Sequence, residues 1–383
     1  MAELRVVRAR GDGMARGLQI GGELTDLIQR SVEFYHRYLE RRGVSSTTLQ
    51  DLLTPHLVAA ETVFPESIAV LKGMSIGAMV PVLELFAINA FEELEPLLEA
   101  PEGGLLFLQR KEGYTSVPPP AGGGASPSPP PPPPPPPPQR CSSLTVSIPG
   151  TTLLAHNEHW LAGDLGNVAV VVDVPDRSRV AVASPTVVCC LPAVGMNAHG
   201  GAQGIGSLTA SDDRVGVPRV LVSRNSLEAR DRADAIDRAA VAGRAGGYGH
   251  VFGFRGGESF VVETTATQHR VLDDVHVHTN HYMDKGLAAT APAPSEGSRA
   301  RLDRLTELLD ERRPASPEAV MDILRDHGSS PQAICLHPDP AEGDEASAVL
   351  FSMLADMEAG RMWVAAGNPC EQEYVEIDLP ELR

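Results

Sequence analysis

Residues 129–150 read PPPPPPPPPPQRCSSLTVSIPG and contain the sharpest change of character in the chain. The ten prolines cannot enter the interior of a helix or a sheet, because proline lacks an amide donor and its φ is fixed. They favour a stiff, extended spacer of about 31 Å, at roughly 3.1 Å per residue. Directly after them, CSSLTVSI alternates polar and apolar side chains, which is typical of a strand with one buried face. Cys141 therefore lies where a spacer ends and a strand begins.

The position of this cysteine allows two interpretations. The proline run is either a low-complexity surface insert or a spacer before a cut. If the Arg140–Cys141 bond were cut, Cys141 would carry a free α-amine with a reference pKa of about 7.7 to 8.0. That amine can act as the general base for the thiol of the same residue, with no separate histidine. Under the second interpretation, Cys141 is a nucleophile.

The composition indicates a globular protein and narrows its partners. The 383 residues are 42% hydrophobic and 21% charged, with a formal net charge of -18. This charge disfavours nucleic acid and anionic membrane surfaces, since both select clustered Lys and Arg. No apolar run reaches the roughly 18 residues of a membrane helix, and the N-terminus lacks the pattern of a secretory signal. We expect a cytoplasmic protein with no nucleic-acid or membrane partner.

The pattern of elements divides the chain into three parts. Residues 1–100 are predicted to be mainly helical after a strand at 4–8, with a break near Val80 and Pro81. Residues 101–140 form a Pro-, Gly- and Ser-rich linker. Residues 141–383 contain most strands, and helices are predicted at 218–242, 298–313 and 316–328. Because strands and helices are segregated, an α+β fold with stacked sheets is favoured, and the first and third parts share one domain.

The five cysteines show no disulfide framework. They lie at positions 141, 189, 190, 335 and 370 and form no CxxC motif. Cys189 and Cys190 are predicted to be core residues, and Cys335 and Cys370 have no base partner visible in the sequence. We expect a thiol reagent to label Cys141 before the other four.

Several segments resemble one known family in their order and spacing. They are CSSLTV with LLAHNEHW, GMNAHG, GVPR, HTNHY, SPEAVMDILRDHGSSPQAIC and AGRMWVAAGNPCEQEY. The chain resembles the acyl-coenzyme A:isopenicillin-N acyltransferase family of N-terminal-nucleophile (Ntn) cysteine hydrolases. VLKGMSIGAMVPVLELFAINAFEEL is similar to the family's segment before the nucleophile, so the resemblance covers most of the chain outside the proline run. It implies an αββα four-layer sandwich.

The resemblance also implies a reaction. A precursor would cleave itself before Cys141, and the two fragments would stay associated. Amide hydrolysis or acyl transfer would then pass through a thioester on Cys141. The substrate would be a small acylated amine, an amino-acid derivative or an acyl-CoA, in a setting such as secondary metabolism. Asn280, in HTNH, would donate its side-chain amide to the oxyanion, a contact worth about 2.7 to 4 kcal/mol in the transition state.

The chain departs from the family pattern near this site. His159 stands where the family commonly has an acid, and Leu336 stands where it commonly has an arginine. Joint loss of such a pair can be nearly neutral, whereas losing one partner costs about 3 to 5 kcal/mol. His159 then becomes a candidate acid–base group for Cys141, since histidine titrates near neutrality. Arg140 likewise replaces the small residue commonly found before the cut.

The remaining site predictions concern binding. We expect substrate contacts from Asn157, Glu158, Ser207, Thr209 and Leu336, with a backbone oxyanion donor in the region 207–209. GMNAHGGAQGIGSL lacks the spacing of a phosphate loop and is predicted to be strand, turn and strand. The histidines at 156, 159, 276, 278 and 281 have no acid cluster or HExxH motif, so polar strand roles are favoured over a metal. No metal and no cofactor are predicted.

Two functions from different classes remain open. The retained Cys141 and Asn280 favour an Ntn amidohydrolase or acyltransferase. The replaced acid–arginine pair and Arg140 favour an uncleaved, catalytically silent homologue that binds a small acyl ligand or a partner protein.

Overall fold

Two β-sheets lie face to face in the computed structural model, which describes residues 4–98, 141–176 and 179–382. The strands of these residues are β1 (Arg5–Gly11), β2 (Ser142–Ile148), β3 (Thr151–Leu161), β4 (Val168–Pro175), β5 (Val182–Val187), β6 (Gly195–Asn197), β7 (Gly201–Leu208), β8 (Gly247–Phe254), β9 (Ser259–Thr264), β10 (His269–Leu272), β11 (Val277–His278), β12 (Ser347–Asp356), β13 (Arg361–Ala366) and β14 (Val375–Ile377). The helices are α1 (Gly13–Glu23), α2 (Thr25–Arg41), α3 (Ser46–Val63), α4 (Pro65–Ala78), α5 (Val82–Asn89), α6 (Phe91–Leu98), α7 (Arg219–Ser226), α8 (Arg232–Ala239), α9 (Lys285–Ala288), α10 (Glu296–Arg312) and α11 (Pro317–Leu324).

The strand order defines the two sheets. Sheet A has eight strands in the order β1-β4-β5-β6-β7-β8-β9-β10, and sheet B has six in the order β11-β2-β3-β12-β13-β14. All neighbouring strands are antiparallel except β1 and β4, which pair in parallel with Arg5 opposite Ala169. The β1–β4 pair joins the residues before the proline run to those after it within one sheet.

Helices cover the outer face of each sheet. Helices α1 to α6 share a core with apolar residues of β1 and β4, and α8 packs on the aromatic side chains of β8 and β9. Helices α10 and α11 pack on Leu144, Leu153 and Ala155 of sheet B. A separate core, which includes Leu154, Val170 and Met353, lies between the sheets. The expected α+β fold, an αββα four-layer sandwich, is confirmed.

Helices α1 and α4 cross with their backbones in contact. A Cβ atom on Gly17 would lie 2.0 Å from the Val70 carbonyl oxygen, and one on Gly73 would lie 2.3 Å from that of Met14. Since no side chain fits at either position, glycine is required there. Gly22, also in α1, has no atom within 4 Å of such a Cβ.

Most predicted elements are present, with differences at their ends. The break near Val80 is confirmed: α4 ends and Met79 adopts a left-handed backbone (φ 58°). The predicted helix 218–242 is wrong as one unit, because it consists of α7 and α8 with Asp231 capping the second. Strand β11 ends at His278, so Asn280 lies beyond the strand. The linker prediction at 101–140 falls outside the described residues. Within the described ranges, no helix is long and apolar enough to cross a bilayer.

Candidate active site

Cys141 lies immediately before β2, with its thiol buried between the sheets. The residue is only 4% exposed, and its Sγ donates to Glu158 Oε1 at 3.3 Å. Burial raises the pKa of this thiol well above its usual range, and the Glu158 carboxylate raises it further. The thiol is therefore protonated at neutral pH, and it needs a proton acceptor before it can attack.

A chain of hydrogen bonds leads from this thiol into the protein. His156 Nε2 lies 2.9 Å from Glu158 Oε2, and His156 Nδ1 lies 2.9 Å from Ser143 Oγ. Because the Ser143 hydroxyl donates to the Ile205 carbonyl, it accepts from His156 Nδ1–H. The other ring nitrogen, Nε2, therefore faces the Glu158 carboxylate, which is also the group that accepts from Cys141 Sγ.

Arg301, from α10, orders the other side of Cys141. It is 3% exposed and donates to the Cys141 carbonyl at 2.5 Å and to Ser142 Oγ at 2.9 Å. Its second terminal nitrogen donates to Asn280 Oδ1 at 2.9 Å. Burial lowers the pKa of Arg301 to about 10, so it stays charged at neutral pH. With Oδ1 held by Arg301, the Asn280 amide group faces the opposite way, where Nδ2 donates to the Ser207 carbonyl at 3.3 Å.

A small, mainly apolar cavity of about 60 Å³ adjoins the thiol. Most of its lining is aliphatic or aromatic, and Cys141, Glu158, Glu92 and Ser207 are among the groups that line it. Ser207 Oγ donates to Glu92 Oε1 at 2.6 Å. Burial raises the pKa of Glu92 to about 7, although nearby Arg219 opposes the shift. The cavity lining therefore combines polar and ionisable side chains with a mainly apolar wall.

Glycines of β7 let the two sheets approach at this point. A Cβ on Gly204 would lie 2.6 Å from Ser143 Oγ, and one on Gly206 would lie 2.4 Å from the Thr279 carbonyl oxygen. The glycine-rich segment is strand, turn and strand, as predicted, and its glycines make room for the hydrogen-bond chain and for Asn280.

Two of the predicted site residues point away from the thiol. Side chains alternate along β3, so His156 and Glu158 face sheet A while Asn157 and His159 face α11. The Asn157 amide donates to the Leu324 and Ile334 carbonyls, and His159 Nε2 lies 3.0 Å from the Ile334 carbonyl. Only the backbone N–H of His159 reaches the Cys141 thiol. The expected acid–base contact by the His159 side chain is therefore corrected, and so is the substrate contact by Asn157.

The other predicted residues divide between the cavity and its surroundings. Glu158 and Ser207 line the cavity, whereas Thr209 and Leu336 are not among its lining residues. The Leu336 carbonyl instead accepts from Asn368 Nδ2 at 2.8 Å. Substrate contact by Thr209 or Leu336 has no support in this geometry.

Sequence reasoning missed Arg301 and Glu92. A signal existed for Arg301: the buried positions of α10 are Ser298, Arg301, Leu305 and Leu308, which places an arginine on the apolar stripe of the helix. Glu92 gave no such signal, because its burial depends on α6 packing against residues more than a hundred positions away.

The group Cys141, His156 and Glu158 also has the donors of a metal site. Their ligand atoms lie within 4.8 Å of one another. In the structure these three side chains contact one another through the hydrogen bonds described above. The histidines at 278 and 281 are likewise paired, with Glu263 and Ser298.

The αββα sandwich is the fold of the Ntn hydrolases. The sequence model of the acyl-coenzyme A:6-aminopenicillanic acid acyl-transferase family matches residues 147–371. The protein belongs to this family, as its sequence resemblance indicated. The match begins after Cys141, so the role of that residue depends on the geometry described above.

Two solved structures are similar to the chain. A variant of the conjugated bile acid hydrolase from Clostridium perfringens has 14% identity and a TM-score of 0.46, covering 62% of this chain and 92% of its own. Penicillin V acylase from Agrobacterium tumefaciens has 12% identity and a TM-score of 0.43, covering 63% and 87%. No curated protein matches the sequence.

Proposed function

We propose that the protein is a cysteine amidohydrolase or acyltransferase that carries its acyl group as a thioester on Cys141. The substrate class is a small acylated amine, an amino-acid derivative or an acyl-CoA. The observation that carries this proposal is the Cys141 thiol, which borders an apolar cavity and donates to the carboxylate of the Glu158–His156 pair. Nucleophile and base within hydrogen-bond reach, with the base oriented by a third group, are the mark of covalent catalysis.

Self-cleavage would activate the nucleophile. The Cys141 thiol attacks the Arg140 carbonyl, its proton passes through Glu158 to the departing amine, and a thioester replaces the peptide bond. Water then hydrolyses the thioester, which releases the Arg140 carboxylate, the free thiol and the α-amine of Cys141. That amine can serve as the general base in turnover.

Turnover repeats the same chemistry on a substrate. The thiol attacks the substrate carbonyl and loses its proton to the base, and the amine or thiol leaving group departs with a proton. Water or an acceptor amine then takes the acyl group from the thioester. The Asn280 amide, with its oxygen held by Arg301, would donate to the oxyanion in both steps.

The cavity suggests the kind of acyl group. Its apolar lining and its volume of about 60 Å³ fit a short, uncharged acyl chain better than an extended or ionised one. A charged chain would be buried without a partner, which costs several kcal/mol.

Intact mass and turnover together test the proposal. Wild-type protein should yield fragments of 140 and 243 residues that purify together, and Cys141→Ala should stay at 383 residues without activity on acyl amides or acyl-CoA. Cys190→Ala is the matched control, since Cys190 also lines the cavity but takes no part in the hydrogen-bond chain. Cleavage and turnover that persist in Cys141→Ala would exclude this cysteine as the nucleophile.

A catalytically silent binding protein is the second candidate function. The burial of the Cys141 thiol and its raised pKa favour it, since an unactivated thiol does not attack. This function predicts a single full-length species with no turnover, which binds short acyl amides as measured by calorimetry. A full-length species that does turn over substrate would instead assign the base to Glu158, and Glu158→Gln should then abolish activity.

A further inference from the structure

Four potential metal ligands converge far from Cys141 in sequence and on the other side of sheet B. They are His327, which follows α11, Cys335 and His337 in the loop before β12, and Cys370 after β13. One ligand atom from each lies within 4.8 Å of the other three. Cys335 is buried and the other three are exposed, so the group sits at the surface with one ligand in the core.

The separations agree with a single tetrahedral ion. The two sulfurs are 3.5 Å apart, the two His Nε2 atoms are 3.2 Å apart, and His337 Nε2 is 3.1 Å from Cys370 Sγ. With Zn–S near 2.3 Å and Zn–N near 2.0 to 2.1 Å, a tetrahedron requires about 3.8 Å between sulfurs, about 3.3 Å between nitrogens and about 3.6 Å between a nitrogen and a sulfur. Small outward shifts of exposed side chains would admit the ion.

Neighbouring groups are placed to support such ligands. Glu371 Oε1 lies 3.6 Å from His337 Nδ1, the ring nitrogen that points away from the cluster. A small movement of this carboxylate would bring it within hydrogen-bond distance of Nδ1, and that contact would fix the tautomer in which Nε2 is free to bind metal. Asn368 Nδ2 donates to Cys335 Sγ at 3.5 Å, a contact that stabilises a thiolate. The cluster therefore has polar partners beyond its own four residues.

We propose that His327, Cys335, His337 and Cys370 bind one Zn²⁺ in a closed Cys₂His₂ site. Each thiol gives up its proton on binding, and both histidines bind through Nε2. Four protein ligands leave no position for water or substrate, so the ion is structural and not catalytic. The spacing of the ligands, with seven, one and 32 residues between them, matches no zinc-finger pattern, which is why the sequence alone did not show the site.

The position of the site gives it a structural purpose. Ile334, directly before the Cys335 ligand, accepts hydrogen bonds from the side chains of Asn157 and His159 on β3. The ion would hold the loop that contains Ile334 and Cys335 against the outer face of β3, the strand that carries Glu158. Loss of zinc should therefore loosen the loop first and weaken the support behind the candidate active site.

Metal analysis of the full-length protein, purified under reducing conditions, tests the proposal. The wild type should contain one zinc per chain after reconstitution and dialysis. In Co²⁺-substituted protein we expect the intense visible bands of tetrahedral cobalt and a near-ultraviolet thiolate-to-cobalt band. Cys335→Ser and Cys370→Ser each remove one of the two thiolates. Each variant should therefore show a weaker thiolate-to-cobalt band and a lower zinc content than the wild type. A strong chelator should lower the Tm of the wild type, and added zinc should restore it.

Matched variants separate this site from the group at Cys141. Cys141→Ala removes a donor from the other candidate cluster and should keep its zinc, because it leaves the four ligands untouched. Cys370→Ser changes an exposed side chain and should fold like the wild type, which its circular dichroism spectrum would check. Three results would overturn the proposal: no zinc and no cobalt bands in the wild type, metal retained in both serine variants, or metal lost only in Cys141→Ala. A Cys335–Cys370 disulfide in the reduced, purified protein would overturn it as well.

Discussion

Glu92 couples the candidate site to pH. Its carboxyl is buried at the cavity, and its pKa of about 7 lies above the ordinary value of 4.5. The folded state therefore binds the proton more tightly than the unfolded state does. The resulting stabilisation is fully present below about pH 4.5 and is lost as pH rises through about 7.

Glu92→Gln should remove this pH dependence. The difference in the free energy of unfolding between variant and wild type should change by roughly 3 kcal/mol between pH 4.5 and pH 8, with the variant gaining at high pH. Urea titrations at several pH values measure it. Glu33→Gln, which alters an exposed carboxylate on α2, is the control. Parallel curves for wild type and Glu92→Gln would show that the Glu92 carboxyl ionises as freely in the fold as in the open chain.

The reactivity of the cysteines should follow exposure and not sequence position. The sequence led us to expect that a thiol reagent labels Cys141 first, but its thiol is buried with a pKa well above the usual range. Burial and the neighbouring Cys335 raise the pKa of Cys370 to about 12, but its side chain is exposed, so in uncleaved, chelator-treated protein it should react before the buried Cys141. Peptide mapping after brief labelling measures the order. First labelling of Cys141 would mean that the site opens in solution.

At the residue scale, the sequence identifies site residues that lie in recognisable segments. It misses contacts between residues that only the folded chain brings together. Cys141 and Asn280 were recognisable from their segments, and Arg301 links the two. The assignment of His159 failed because a one-residue step along β3 reverses the direction of a side chain. The β3 side chain that does contact the Cys141 thiol is that of Glu158, one position earlier.

At the scale of elements, the contact between α1 and α4 makes a sharp prediction. Gly17→Ala would place a methyl group 2.0 Å from the Val70 carbonyl oxygen, so the helices must separate. We expect a loss of about 3 kcal/mol in the free energy of unfolding, at the upper end of typical overpacking. Gly22→Ala, in the same helix with open space around it, should be neutral or stabilising by about 0.5 to 1 kcal/mol. Equal effects of the two substitutions in denaturant titrations would refute the close contact.

Helices and strands were predictable where local sequence signals, such as caps and alternating apolar residues, pointed to the same element. The helix predicted at 316–328 is present as α11, where Ser316 is the N-cap and Pro317 the first helical residue. Alternation predicted that Leu144 and Ser143 lie on opposite faces of β2, and in the structure Leu144 packs on the helices while Ser143 faces sheet A. The division of 218–242 into α7 and α8 was missed, since the intervening residues, LEARD, contain neither glycine nor proline.

At the scale of the whole molecule, the proline-rich segment should be dispensable for folding. It has no periodic apolar positions, and shortening a loop changes its closure entropy by only about 0.6 kcal/mol per halving of length. Deletion of residues 116–138 should leave the Tm nearly unchanged in calorimetry. A large fall in Tm would show that the segment packs on the sandwich.

The parallel pairing of β1 with β4 has a consequence for synthesis. Arg5 leaves the ribosome 164 residues before its partner Ala169. At about 5 to 20 residues per second, the wait for that partner is roughly 8 to 33 seconds. During this time α1 to α6 have no sheet to cover their apolar face, and hydrophobic surface is exposed to solvent or to holding chaperones. Yield of folded protein should therefore depend on elongation rate and chaperone supply.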